Sequence, residues 1–380
     1  MRLIHTDEQQ QLQAMLREVF TDACPPPLVR QMKESASDGF PSDLWQALTT
    51  TGVFGLAFDP EYGGDGAGIY ELGLVFAEAG RALCPTIVYS SLLFGVAVER
   101  LADAEHKKKY LPALAAGELK ASTALSNPSN AGDRRPRLTA ERGDGGWTLS
   151  GTLMFVPNAA ISNVLLVSAL TSAFPEPART YAFFVDPAAE GIEVSPLETF
   201  AGDKQSKVVF DGCFVPDSAT LSGPGGHGLG STDLAWVANA AVALQCMEMV
   251  GGATAVLERT VDYVKVRQQF GRAIAGFQAA QHHVANMRIA LEAARLAATQ
   301  ATWWIARGHT ATRAVAIAKM HCSEAYKWTT LTSHQLHGGM GYVRETDLHL
   351  WSERAKVTEI QGGTADVAAR WLQAELGLVG

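Results

Sequence analysis

The chain has 380 residues, 47% hydrophobic and 18% charged, and a formal net charge of −8. At ~150 residues per domain that length predicts two or three domains, and the composition excludes disordered and collagen-like chains. The acidic balance excludes a nucleic-acid surface: the basic runs Lys107-Lys108-Lys109 and Arg134-Arg135 are short enough to be solvated faces.

Cys24, Cys84, Cys213, Cys246 and Cys322 are scattered, and no pair has C-x-x-C spacing. Neither a disulfide framework nor a zinc site is expected, and the pattern predicts a reducing compartment. The N-terminus MRLIHTDEQQQLQ lacks the apolar core of a signal peptide. The apolar stretch from Leu234 to Met247 contains Asn239 and Gln245 and stops at Glu248, shorter than the ~20 residues of a membrane span. A soluble cytoplasmic protein without membrane insertion is expected.

In chain order, residues 1–118 read as helical. Thr6 and Gln9 form a capping box ahead of Leu12, Leu16 and Phe20. Pro41-Ser42-Asp43 opens a helix through Leu48, and Glu71 to Leu83 reads as another. The glycine-rich stretch from Asp59 to Gly66 follows no strand, so it reads as a turn rather than a phosphate loop. Residues 119–226 switch to short β-forming runs: 147–150, 163–170, 181–185 and 207–210, punctuated by Gly, Pro and Asp, which predicts an antiparallel β-domain. Ser222-Gly223-Pro224-Gly225-Gly226 marks the next boundary. Residues 227–380 are helical again, with long segments at 231–265, 278–307 and 311–336 and shorter ones near 344–357 and 365–376, the pattern of an antiparallel bundle.

No G-x-S-x-G, H-E-x-x-H or Walker loop is present. His334 and His337 have helical spacing but no matching carboxylates, so they read as ordinary histidines with no metal. Two segments carry more. In the first, Arg267 and Phe270 are three apart, which places a guanidinium suited to a phosphate and an aromatic suited to a flat ring on one helix face. In the second, Gln335-Leu-His-Gly338-Gly339 ends a helix in glycines, where a backbone can approach a ligand closely.

In this order, and together with Tyr62-Gly63-Gly64-x-Gly66, Val208 to Pro216 and Ile360-Gln361-Gly362-Gly363-Thr364, these motifs resemble the acyl-CoA dehydrogenase family over the whole chain. The resemblance implies an α+β fold: an N-terminal helical domain, a middle antiparallel β-barrel-like domain and a C-terminal four-helix bundle. It also implies FAD, an acyl-CoA thioester substrate, a tetramer and an acceptor such as electron-transfer flavoprotein. In the family each FAD lies between two subunits. The elements given by the neighbour match Arg267, Phe270, Gln335, Gly338 and Gly339, and Thr364 matches a further cofactor contact.

The departures are as informative. The family removes an α-proton with a Glu, either before the Gly-Thr of the C-terminal turn or on the first bundle helix. Those positions are Gly362 and Ala241 here, and the substrate-site Arg becomes Val242. The flavin-facing Thr-Glu-Pro reads Ser126-Asn127-Pro128, and Trp-Ile-Thr reads Phe155-Val156-Pro157. Proline has neither hydroxyl nor N–H to replace the threonine. The half of the FAD site given to a neighbour is kept, whereas the half for the chain's own FAD is eroded. This resembles the smaller, base-less subunits of heteromeric (α2β2) acyl-CoA dehydrogenases, such as the pimeloyl-CoA and steroid-side-chain types. The alternatives are a self-sufficient dehydrogenase with Glu248 as a relocated base, a base-independent flavoenzyme of the same fold, and an assembly protein without flavin.

Overall fold

The chain enters α1 (Asp7–Ala23) through a reciprocal cap in this computed structural model, which describes residues 4–125, 135–171, 178–223 and 226–378. Gln9 N donates to Thr6 Oγ1 at 3.3 Å, and Thr6 N donates to Gln9 Oε1 at 3.0 Å. The spacing of Thr6 and Gln9 predicts this cap. Then come α2 (Pro26–Glu34), α3 (Ser42–Thr50), α4 (Ile69–Arg81), α5 (Thr86–Leu101) and α6 (Ala104–Ala115). Helices α3 and α4 form where the sequence predicts them, with ends shifted by a residue or two. Helix α5 is buried on nearly every side, which erases the amphipathic period a sequence reading depends on.

Two compact units divide the chain, and each draws on separated stretches: Met1–Val29, Ile69–Cys84 and Asn239–Gly380 in one, Arg30–Gly68 and Pro85–Ala238 in the other. The N-terminal segment 1–118 therefore contributes to both.

The second unit holds a sheet of β1 (Ala121–Ala124), β2 (Leu138–Gly143), β3 (Gly146–Pro157), β4 (Val164–Thr171), β5 (Thr180–Val185), β6 (Ile192–Leu197), β7 (Gln205–Pro216) and β8 (Thr220–Leu221). The order is β6-β7-β3-β2-β4-β5-β8. Most neighbours are antiparallel as expected, but β1 and β2 both run parallel to β4 on successive stretches, Ala121 opposite Val164 and Leu138 opposite Ala169. The sheet is thus mixed. Parallel pairing needs no hairpin turn, so it leaves no local signal in the sequence. Alternate residues of the long pair β3/β7 point into one apolar core, where Leu149, Leu153, Val208 and Phe210 pack with Leu165, Val167 and Phe183.

Helix α7 (Ser231–Val266), which lies in the first unit from Asn239 onward, and α8 (Gln278–Ala306), α9 (Thr312–His337), α10 (Leu348–Ile360) and α11 (Ala365–Glu375) follow the expected segments closely. Between α7 and α8 a short hairpin intervenes, β9 (Gln268–Gln269) and β10 (Arg272–Ala273). Helix α7 contains a window apolar enough to cross a membrane, but 83% of it is buried within the protein, as in a bundle core. Helices α4 and α7 meet backbone to backbone. A Cβ on Gly80 would fall 2.2 Å from Glu248 O, and one on Gly251 would fall 1.7 Å from Ala77 O, so only glycine fits at either point. All five cysteines are buried thiols.

Candidate functional site

Arg267 and Phe270 do not share a helix face. Helix α7 stops at Val266, and the two residues flank the first strand of the hairpin. The structure thus corrects the helical placement expected from their spacing, and the reason is local. Phe270-Gly271 forms a two-residue loop, with φ +54° and +80°, between the paired Gln269 and Arg272. Positive φ at both central residues is the type I′ hairpin geometry, which closes the two strands and prevents the helix from running on.

Phe270 is 91% exposed, and its ring meets Phe277 edge-on, with centroids 6.2 Å apart. Arg267 is exposed as well, its backbone fixed by Arg267 N donating to Tyr263 O and Ile274 N donating to Arg267 O, both at 2.9 Å. The Arg272 guanidinium stacks on Phe277 at 4.0 Å.

The second motif lies at the same end of the bundle. Tyr263, one turn before Arg267, stacks on His337 with centroids 4.2 Å apart, and its hydroxyl donates to His337 O at 3.3 Å. Gln335 is exposed on the last turn of α9, and its carbonyl accepts from Gly338 N. Gly338 takes φ +57°, and a Cβ on Gly338 or Gly339 would meet nothing within 4 Å. Both glycines present open backbone, which suits close approach by a ligand. The two histidines are occupied structurally. His337 Nδ1 donates to Ser333 O at 2.8 Å and burial pushes its imidazole pKa down, while His334 Nδ1 donates to Gly341 O at 2.8 Å.

The turn at Gly362 meets α7 beside Ala241, so the two positions without an acid lie close together. A Cβ on Gly362 would lie 3.0 Å from Val242 Cγ2 and 3.3 Å from Gln245 Oε1, and Val242 directly follows the half-buried Ala241 on α7. Gly362 and Gly363 have φ +66° and +106°, a backbone that a glutamate would adopt only under strain. Thr364 caps α11, its hydroxyl accepting from Val367 N at 3.4 Å. Glu248, about two turns from Ala241, is buried and ion-paired with Arg354 Nε at 2.9 Å; Arg354 Nη2 also donates to Cys84 O at 2.8 Å.

Sequence reasoning missed the group that organises this turn. Lys319 is fully buried, and its Nζ donates to Gln245 Oε1 at 3.0 Å, Thr358 O at 2.5 Å and Gln361 O at 2.6 Å. Gln245 Nε2 in turn donates to Gln361 Oε1 at 3.0 Å. The available signal was a lone lysine in the run Ala316-Ile317-Ala318-Lys319-Met320.

In the second unit, Phe155 takes φ +58° at a register shift between Leu153 and Val156, and is 44% exposed. Pro157 forms the last pair of β3 with β7, opposite Gln205, and offers no donor there. Ser126, Asn127 and Pro128 lie outside the described residues. The glycine-rich turn at 59–66 folds back on its own chain: Asp65 N donates to Gly55 O at 3.1 Å and Gly66 N to Phe58 O at 2.8 Å. These bonds fit a structural turn.

Residues 6–118 match the acyl-CoA dehydrogenase N-terminal domain and residues 232–377 the acyl-CoA dehydrogenase C-terminal domain. An acyl-CoA dehydrogenase of Bacillus subtilis (strain 168) is 30% identical over 375 residues, covering 95% of this chain and 96% of that one. The solved ChsE4-ChsE5 complex from Mycobacterium tuberculosis is similar with a TM-score of 0.89 at 25% identity, covering 100% of both chains. PigA with FAD and proline is similar with a TM-score of 0.87 at 25% identity, again covering 100% of both. With both terminal domains matched and a relative at 30% identity over nearly its full length, the chain belongs to the acyl-CoA dehydrogenase family.

Proposed function

We propose that this chain is the base-less subunit of a heteromeric, FAD-dependent acyl-CoA dehydrogenase, completing the FAD site of a different subunit. The observation that supports this reading most is the state of the base positions. Ala241 and Gly362 carry no group able to take a proton, and Glu248 is held in a buried ion pair with Arg354. A carboxylate must accept the weakly acidic α-proton of an acyl-CoA thioester, so the partner supplies it.

When bound, FAD supplies the hydride acceptor. This chain's residues bind and orient. The Arg267 guanidinium pairs with a phosphate, the Phe270 ring packs on a flat ring system, and the Gln335, Gly338 and Gly339 turn lets backbone approach. Thr364 adds a contact from the head of α11. The exposed Phe270 and open Gly338-Gly339 fit that role, whereas Pro157 cannot donate where the family uses a threonine. The ChsE4-ChsE5 complex, with two named components, supports the heteromeric part of the reading. A cytoplasmic heterotetramer that passes electrons to an electron-transfer flavoprotein or a similar acceptor completes the proposal.

The test is expression alone and together with a second acyl-CoA dehydrogenase chain that carries Glu at either base position. Alone, the chain is expected to be flavin-poor and near background in a dehydrogenase assay, since losing a general base costs ~10²–10⁴-fold. Together, a yellow complex of both chains is expected. A stoichiometric yellow homotetramer with robust turnover would overturn the reading, and loss of that turnover in Glu248→Gln would establish the relocated base.

A further inference from the structure

The last carbonyls of a helix have no partner within it, and burying them costs free energy unless a donor arrives from elsewhere. Helix α10 ends at Ile360, next to the turn that leads to Thr364. Two carbonyls there, Thr358 O and Gln361 O, are met by one ammonium from α9, and Gln245 Oε1 of α7 is the third acceptor. A lysine ammonium has three donors, so the count closes. A cation at a helix C-terminus is also favoured by the helix dipole.

We propose that Lys319 is a positioning residue: it caps α10 from the side and clamps the turn at 361–363 to α7, fixing where Thr364 begins α11. The Gln245–Gln361 amide pair is the second half of the clamp. The closed fit around Gly362, with Val242 and Gln245 against its missing Cβ, shows how little room the clamped turn has. The clamp belongs to this chain alone, while its consequence for flavin rests on the proposed function.

The experiment measures hydrogen exchange on the full-length chain and flavin content on the co-expressed complex. In Lys319→Met, the amides of Gln361 and Gly363, which donate to Val357 O and Ile360 O in the native turn, are expected to exchange at least about tenfold faster, while amides in the middle of α8 stay within about twofold. Flavin occupancy falls as well. Gln245→Ala removes one acceptor and is expected to give a smaller rise of about threefold; it carries the test if Lys319→Met does not fold. Unchanged exchange at the turn in a folded variant overturns the clamp. Faster exchange with full flavin occupancy, when Arg267→Ala does lose flavin, overturns the positioning role. If Arg267→Ala also keeps full flavin, the proposed function fails and the exchange result alone decides the clamp.

Discussion

The end of the bundle and its centre treat charge in opposite ways. At the end, Arg267 and Phe270 are exposed, and backbone bonds and a tight turn hold them. In the centre, Glu248, Arg354 and Lys319 are buried, and each is paired with named groups. Residues proposed to serve a ligand are left open, and those whose chemistry serves the fold are used up. Glu248, the acid closest to Ala241 along α7, is already committed to Arg354, which fits the proposed lack of a base.

The largest expected effect breaks the centre. Arg354→Met leaves Glu248 buried without its cation and should destabilise the chain by about 3–5 kcal/mol, read from denaturant unfolding. Adding Glu248→Gln should recover part of that loss. The pH dependence probes the same centre. Burial lowers the Lys319 pKa from 10.5 to about 8, against the opposing pull of Cys246, Cys322, Glu248 and Glu359. Below about pH 8 both states hold the proton, and the burial cost is present in full. Between about 8 and 10.5 the unfolded chain keeps a proton that the folded chain has released, so stability rises with pH. The rise should stay below about 3 kcal/mol relative to Lys319→Met, measured as the difference between the two unfolding curves, because the neutral amine has a donor too few for its three acceptors.

The smaller effects sharpen the other side of the comparison. Arg267→Ala should weaken flavin binding about ten- to hundredfold in the co-expressed complex, from a charge-assisted bond worth roughly 1.5–3 kcal/mol. Arg272→Ala, whose guanidinium sits on Phe277, should matter less. Phe270→Asn should make the hairpin more stable by about 1 kcal/mol, because Asn-Gly is the favoured type I′ pair, while flavin content drops. Opposite signs in the melting temperature and the flavin ratio would separate a residue kept for a ligand from one kept for the fold.

The long helices and their order were legible because amphipathic period and capping residues are local signals: Thr6 with Gln9 is read directly, and so are the bounds of α8 and α9. The parallel pairings of β4 and the hairpin after Val266 were not. The first joins residues far apart in the chain, and the second interrupts a motif whose spacing also fits a helix. At the candidate site, the motif residues stand out in the sequence one at a time. The Lys319 clamp was not, because it joins three helices and two of its acceptors are backbone carbonyls, which carry no sequence signature.

The glycine contacts between α4 and α7 bear on how such a chain could change over evolutionary time. With Gly80 against Glu248 O and Gly251 against Ala77 O, a slide or rotation of α7 that would carry another acid toward Ala241 is opposed by backbone contact. On the proposed reading, a base at this turn requires a new side chain in place. Gly362 is a poor starting point, since its left-handed backbone and the closeness of Val242 oppose any side chain. Ala241 lies within a regular helix and is half-buried, so glutamate there meets no backbone strain. If the chain is the base-less subunit proposed above, its route to self-sufficiency is narrow and runs through one helical position.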